Sequence, residues 1–157
     1  MAVTTTPLIS WLPERLVHYL PGVTFIRGEN FSWNPETNSV EYRTDGTASA
    51  LLHEFGHALL KHHTYSRDIE LIGMERDAWL VARRIALELD IELDEDDIED
   101  HLDTYREWLH ARSSCTHCSE TGLETAKHIY QCLSCGARWR VNDARNCQLR
   151  RYTEKKD

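Results

Sequence analysis

Apolar residues recur at helical spacing in four stretches of this chain and alternate with polar residues in one. Trp11, Leu12, Leu16, Val17 and Leu20 form the first helical face and predict a packing helix over Ser10–Leu20, with Pro13 tolerated in the first turn. From Val23 to Tyr42 the pattern shortens to Val23–Ile26, Phe31–Trp33 and Val40–Tyr42. These runs are separated by the turn signals Gly28-Glu29-Asn30 and Asn34-Pro35-Glu36-Thr37-Asn38, which predicts a small antiparallel sheet. Ala48, Leu51, Leu52, Phe55 and Leu59 mark the next helix, with Thr47 or Ser49 to cap its start.

A longer helix is expected from about Asp68 to Leu89. One stripe holds Leu71, Met74, Ala78, Val81, Ile85 and Leu89, and an adjoining one holds Glu75, Ala78, Trp79, Ala82 and Ala86. A further helix starts near Asp94, with Asp94 and Asp97 spaced as a capping pair, and turns Ile98, Leu102, Tyr105, Trp108 and Leu109 inward. It ends before Cys115, where a second module begins. The expected division is a domain over 1–111 and a module with a basic tail over 112–157, in an α+β fold of three to four helices and a small sheet.

Composition sharpens this in two respects. The 157 residues are 41% hydrophobic, enough for one domain with a core and a small appended module, and no apolar run reaches membrane-spanning length. The start, MAVTTTPLISWL, has neither a basic region nor a sustained apolar stretch, so no secretory signal is evident. Four of the five cysteines sit in two CxxC pairs, which fits metal binding in a reducing compartment better than a disulfide framework, and the cytoplasm is the expected location. The net charge of −8 is unevenly spread, with ten acidic and no Lys or Arg residues between Glu88 and Asp103. That run reads as a solvated helix face.

The chemistry is concentrated in residues 53–57, His-Glu-Phe-Gly-His. Two histidines four apart project from one helix face and can hold a single ion, while Glu54 lies beside them as a general base. A zinc ion with three protein ligands keeps a position for water and lowers that water's pKa to about 7, so the expected reaction is Glu54-assisted attack on an amide carbonyl. A third ligand must come from elsewhere. Asp68, Glu70, Glu75 and Asp77 are the downstream carboxylates; Glu75 is preferred for its place on the inward face, with Asp77 second and a salt bridge from Glu75 to Arg27, Arg43 or Arg83 as the plain alternative. Gly56 costs about 1 kcal/mol in a helix interior, which implies close backbone approach there, for instance by a strand. His62, His63 and Tyr65 follow the motif and read as loop residues without an assigned role.

Cys115, Cys118, Cys132 and Cys135 have the spacing of two zinc knuckles. Four thiolates close the tetrahedron, so this second zinc is expected to be structural and the segment 112–145 to depend on it for folding. Gly136 suits a knuckle turn. The tail residues Arg138, Trp139, Arg140, Arg145, Arg150, Arg151, Lys155 and Lys156 could contact nucleic acid phosphates, with Trp139 stacking on a base. The plainer readings are a solvated face, a contact with the chain's own acidic helix, and a core role for Trp139.

The segments HEFGHALLKHH and MERDAWLVARRIALEL together resemble the ImmA/IrrE family of zinc metallopeptidases over about residues 23–90. That family's second helix carries a Glu followed three and four residues later by a small residue and Asn; Glu75, Ala78 and Trp79 fall on those positions. The resemblance implies a zincin-like, gluzincin-type site with His53, His57 and Glu75 as ligands and Glu54 as base. Trp79 replaces a polar residue that would support a ligand histidine, so that support is expected from another group, such as Asp77 or Asp68. A ribbon after an HExxH domain is also similar in architecture to SprT-like proteases. The expected function is therefore a zinc-dependent endopeptidase acting on a specific protein substrate, with one catalytic and one structural Zn2+. The alternative is a regulatory protein that binds nucleic acid or protein and carries two structural zinc sites.

Overall fold

The structure is a computed structural model and describes residues 8–145 and 147–154. Lys155 and Lys156 of the basic tail lie outside the described residues. Those described form four α-helices and two small sheets, an α+β arrangement, and fall into two compact units. The first holds the described residues up to Thr64 together with Met74–Glu95; the second holds Tyr65–Gly73 and the described residues from Asp96 onward.

In the first unit a 3-10 turn at Leu8–Ser10 leads into α1, Leu12–Leu16, which is shorter than the helix expected over Ser10–Leu20. The chain leaves the helix through tight Arg15–His18 and Leu16–Tyr19 turns, four residues before Leu20, the residue that Pro21 would drive out of the α region. Leu12 and Leu16 are still fully buried.

The three-stranded sheet follows: β1 (Thr24–Arg27), β2 (Ser32–Asn34) and β3 (Ser39–Tyr42), in the order β1-β3-β2. Its β2–β3 pair is antiparallel, as expected, and the Asn34 side chain accepts the N–H groups of Glu36 and Thr37 in the connecting turn. β1, however, runs parallel to β3, so the sheet is mixed rather than antiparallel. The short link 28–31 makes this possible by crossing over the Glu41 side chain, which accepts the Asn30 N–H at 2.8 Å. A Cβ on Gly28 would lie 2.6 Å from that side chain, so a larger residue there would have to push the Glu41 carboxylate aside. β3 is the central strand, with Val40 fully buried.

α2 (Ala48–Leu59) packs over β2 and β3, and Phe55 stacks on Phe25 of β1 with ring centroids 5.9 Å apart. α3 (Asp68–Glu88) adds Ala78, Ala82, Ile85 and Ala86 to the buried residues of this unit, along the stripes read from the sequence.

The second unit contains the first residues of α3, almost all of α4 (Glu95–Ser113) and an antiparallel meander of β4 (Gly122–Ala126), β5 (Ile129–Cys132), β6 (Arg138–Val141) and β7 (Arg151–Thr153). The units thus do not follow the 1–111 and 112–157 division. The reason lies in the buried Arg112 near the end of α4. Its guanidinium donates to Asp68 at 2.8 Å and to the carbonyls of Asn142 and Asp143, and it lies 4.5 Å from the Trp108 ring centroid. Tyr130 on β5 donates to the same Asp68 carboxylate at 2.6 Å, and Trp139 Nε1 donates to the Arg112 carbonyl at 2.8 Å. Residues 65–73 and α4 are therefore bonded into the ribbon's own core of Cys115, Tyr130, Cys132, Trp139 and Val141.

Candidate metal centres

The helix that carries the first centre is defined at both ends by its own sequence. Thr47 is the N-cap and its hydroxyl accepts the Ala50 N–H at 3.1 Å, which resolves the Thr47 or Ser49 choice. At the other end Lys61 takes the left-handed conformation, φ 54°, with its N–H on the Ala58 carbonyl and the His62 N–H on the His57 carbonyl, both at 3.0 Å. These paired bonds are a Schellman motif. Between the ends, His53 and His57 point from the buried side of α2 with 5% and 8% of their surface exposed.

Gly56 sets how near α3 can come. A Cβ there would meet the Ala78 carbonyl oxygen at 2.4 Å, so the two helix backbones touch where both residues are small. The close approach is made by helix α3 and not by a strand. One turn earlier on α3 is Glu75, and the short distance between backbones lets its carboxylate reach both histidines.

Glu75 Oε2 lies 2.8 Å from His53 Nε2, and Glu75 Oε1 lies 3.3 Å from His57 Nε2. Two imidazoles and one carboxylate converge, donor types that zinc accepts. The electrostatics agree. Burial disfavours the charged form of His53, but the carboxylates of Glu54 and Glu75 outweigh it and hold its pKa up at about 9. Burial likewise works against an ionised Glu75, yet the two histidines keep it below the usual carboxylate range.

Glu54 stands apart from that cluster. Its Oε1 is 3.4 Å from Nδ1 of His53, on the ring's other side, and its side chain keeps 18% of its surface exposed against 7% for Glu75. Glu75 is sealed inside while Glu54 still meets solvent.

The other carboxylates named from the sequence are engaged elsewhere. Asp68 binds Arg112 and Tyr130, Glu70 accepts from Ser66, and Asp77 pairs with Arg76. Of the arginines considered as partners of Glu75, Arg43 pairs with Asp45 and Arg83 with Glu95.

The rings of His53 and His57 are themselves held by neighbouring side chains. Trp79 stacks on His53 with ring centroids 4.4 Å apart and planes 18° apart, so it braces that ring by its face. His62, read as a loop residue, places its Nδ1 2.8 Å from Nδ1 of His57, and its carbonyl accepts Trp33 Nε1 from β2 at 2.8 Å. Burial, and next the neighbouring His57, hold the His62 pKa below its ordinary value. The signal in the sequence was its place five residues after His57, just past the helix end. His63 is exposed, and Tyr65 belongs to the second unit.

The second centre lies within the second unit. Cys115, Cys118, Cys132 and Cys135 gather with their sulfurs all within 4.8 Å of one another, and could hold a metal ion. Cys115 Sγ is 3.6 Å from that of Cys135, and Cys118 Sγ is 3.5 Å from that of Cys132. Both CxxC turns are built alike: Ser119 and Gly136, each following the second cysteine, have φ of 66° and 76°, and donate to the carbonyls of Cys115 and Cys132. Gly136 was expected at such a turn; Ser119 bears the same conformation with a side chain. Burial would raise the Cys115 pKa, but the N–H groups of Cys118 and His117 outweigh it and bring it down to about 6, favouring a thiolate. Cys147 is exposed and apart from the cluster.

The basic tail divides by face. Trp139 is fully buried, stacked on Tyr130 at 5.7 Å, which takes it away from any base and makes it core. Arg138 and Arg140 alternate with it outward on β6, where Arg138 pairs with Glu154 and Arg140 lies over Tyr152. Arg145 sits 4.0 Å from the Tyr105 ring centroid, so it meets α4 through an aromatic and not through the acidic residues. Among the described residues no helix is long and apolar enough to cross a membrane. Comparison with protein-family models, with curated proteins and with solved structures gives no match to this chain.

Proposed function

We propose that this chain is a zinc-dependent endopeptidase that cleaves a specific protein substrate, with His53, His57 and Glu75 as the ligands of a catalytic zinc and Glu54 as general base. The observation that carries it is the convergence of the two Nε2 atoms on the two oxygens of Glu75, at 2.8 and 3.3 Å. Zinc bound at about 2.0–2.2 Å to nitrogen and oxygen in a tetrahedron holds its donors roughly 3.3 Å apart, and His57 Nε2 lies 3.3 Å from Glu75 Oε1. Three protein ligands leave the fourth position open.

The ion would supply a water of pKa about 7 and polarise the scissile carbonyl. The chain's own residues do the rest. Glu75 brings negative charge that offsets the ion's, the buried rings of His53 and His57 exclude bulk water from one side, and Trp79 keeps the His53 ring from turning. Glu54 receives the attacking water's proton on a carboxylate oxygen and can return it to the leaving amine.

For the second centre we infer a structural zinc. Zinc–sulfur bonds of about 2.3 Å place tetrahedral sulfurs roughly 3.8 Å apart; the paired sulfurs lie at 3.5 and 3.6 Å. Four thiolates leave no position for substrate. The reading as a regulatory protein that binds nucleic acid or protein and carries two structural zinc sites is the weaker of the two, since burial of Trp139 removes its base-stacking residue.

The test is Glu54→Gln. Wild-type protein is expected to cut members of a mixed peptide library read by mass spectrometry, whereas the variant, with equal zinc content, falls by at least about 100-fold, the scale of a lost general base. Undiminished hydrolysis by the variant would end the assignment.

A further inference from the structure

Metal-binding histidines hold their orientation by donating the ring N–H not used for the metal to a fixed acceptor. In the first centre the ring nitrogens facing Glu75 are Nε2 in both histidines, so each needs a partner at Nδ1. His53 has Glu54 on that side at 3.4 Å. Against His57 Nδ1 lies the Nδ1 of His62 at 2.8 Å. A contact this short between two imidazole nitrogens requires one proton between them, donated by one ring and accepted by the lone pair of the other.

From this geometry we infer that His62 is a positioning residue of the catalytic centre: a neutral imidazole, protonated on Nε2, whose Nδ1 lone pair accepts the Nδ1–H of His57 and so reserves His57 Nε2 for the metal. The inference rests on the zinc reading of His53, His57 and Glu75. If His57 carries its metal on Nε2, only its Nδ1 can hold the shared proton, and the tautomer of His62 follows.

The backbone explains why an imidazole can do this. The Schellman motif brings its C″ residue over its C3 residue, a place commonly filled by a hydrophobic pair. At the end of α3 the same motif has Asp90 left-handed, φ 56°, and the Ile91 N–H on the Ala86 carbonyl at 2.8 Å, with both Ile91 and Ala86 buried and apolar. At the end of α2 the C″ and C3 positions are His62 and His57. The helix cap thus delivers the supporting ring to the ligand, and Trp33 Nε1 on the His62 carbonyl fastens the cap to β2. An acceptor supplied within the helix's own cap does not need the polar residue that Trp79 displaces.

Two measurements on the full chain test this. Cobalt(II) titration distinguishes the centres, because thiolate-bound cobalt shows intense charge-transfer absorption and nitrogen- and oxygen-bound cobalt only weaker ligand-field bands. His62→Phe, which keeps the ring and loses the acceptor, should weaken the nitrogen and oxygen site by about 10–100-fold while leaving the thiolate bands unchanged. His62→Asn, whose amide oxygen can replace Nδ1, should recover most of that affinity. Wild-type affinity in His62→Phe overturns the inference and leaves the zinc reading standing; a wild-type chain that takes metal only on the thiolates overturns the zinc reading itself. Long-range proton–nitrogen NMR of the zinc-loaded wild type needs no variant. It should show His57 protonated on Nδ1 and His62 on Nε2, and the reverse arrangement overturns the inference.

Discussion

The backbone of Ala78 on α3 lies so near Gly56 on α2 that a single added carbon at Gly56 would sit 2.4 Å from the Ala78 carbonyl oxygen. This contact governs how far the Glu75 carboxylate must reach. Gly56→Ala should therefore act on both stability and metal binding. Alanine gains about 1 kcal/mol of helix propensity over glycine, but overpacking a tight contact against backbone costs more, so a net loss of about 1–3 kcal/mol is expected in urea unfolding. As the helices separate, metal affinity at His53, His57 and Glu75 should fall, whereas that of the four cysteines should not.

In the metal-free protein His53 and Glu75 form an ion pair whose contribution depends on pH. His53 has a folded-state pKa of about 9 against 6.5 for the ordinary side chain, a raised value. Its contribution is thus fully present below about pH 6.5 and is lost as pH rises through 9. Chelator-treated protein should lose on the order of 1–3 kcal/mol of stability over that interval by denaturant titration at successive pH values. Zinc-loaded protein, in which the ligand imidazole gives no proton up, should not show that decline. A flat profile without metal would mean that the pair does not form.

The ion pair of Arg112 and Asp68, with side chains 0% and 1% exposed, fastens α4 to the ribbon's core. Arg112→Met would strand the Asp68 carboxylate and leave the Asn142 and Asp143 carbonyls without their donor. Breaking one side of a buried pair costs about 3–5 kcal/mol, so the variant should melt well below wild type by calorimetry. A change under about 1 kcal/mol would show that water replaces the guanidinium.

How much of this could be read from the sequence follows from which forces act locally. α2, its cap and its two histidines were readable because periodicity and capping are set within one helix. The CxxC pairs were readable for the same reason: spacing alone fixes the knuckle. Glu75 could be preferred because a carboxylate on an apolar stripe must be answered by something. The parallel pairing of β1 with β3 could not be foreseen, since it depends on a four-residue link crossing Glu41 that looks like an ordinary turn. Nor could the place of α4, which is decided by Arg112 finding Asp68 forty-four residues away. Trp79 departed from the pattern of the resembled family, and its face stacks on His53, which a pattern of polar residues does not foretell. His62 escaped because a helix cap is usually read for its backbone and not for the ring it delivers.

The account stands or falls on there being two metal centres of different kinds, one built by His53, His57 and Glu75. The direct measurement is the zinc content of purified full-length protein, wild type beside Glu75→Ala, by plasma mass spectrometry. Two zinc ions per chain are predicted for wild type and one for the variant, with the remaining ion on the cysteines. A single ion in wild type, or two retained in Glu75→Ala, would contradict it.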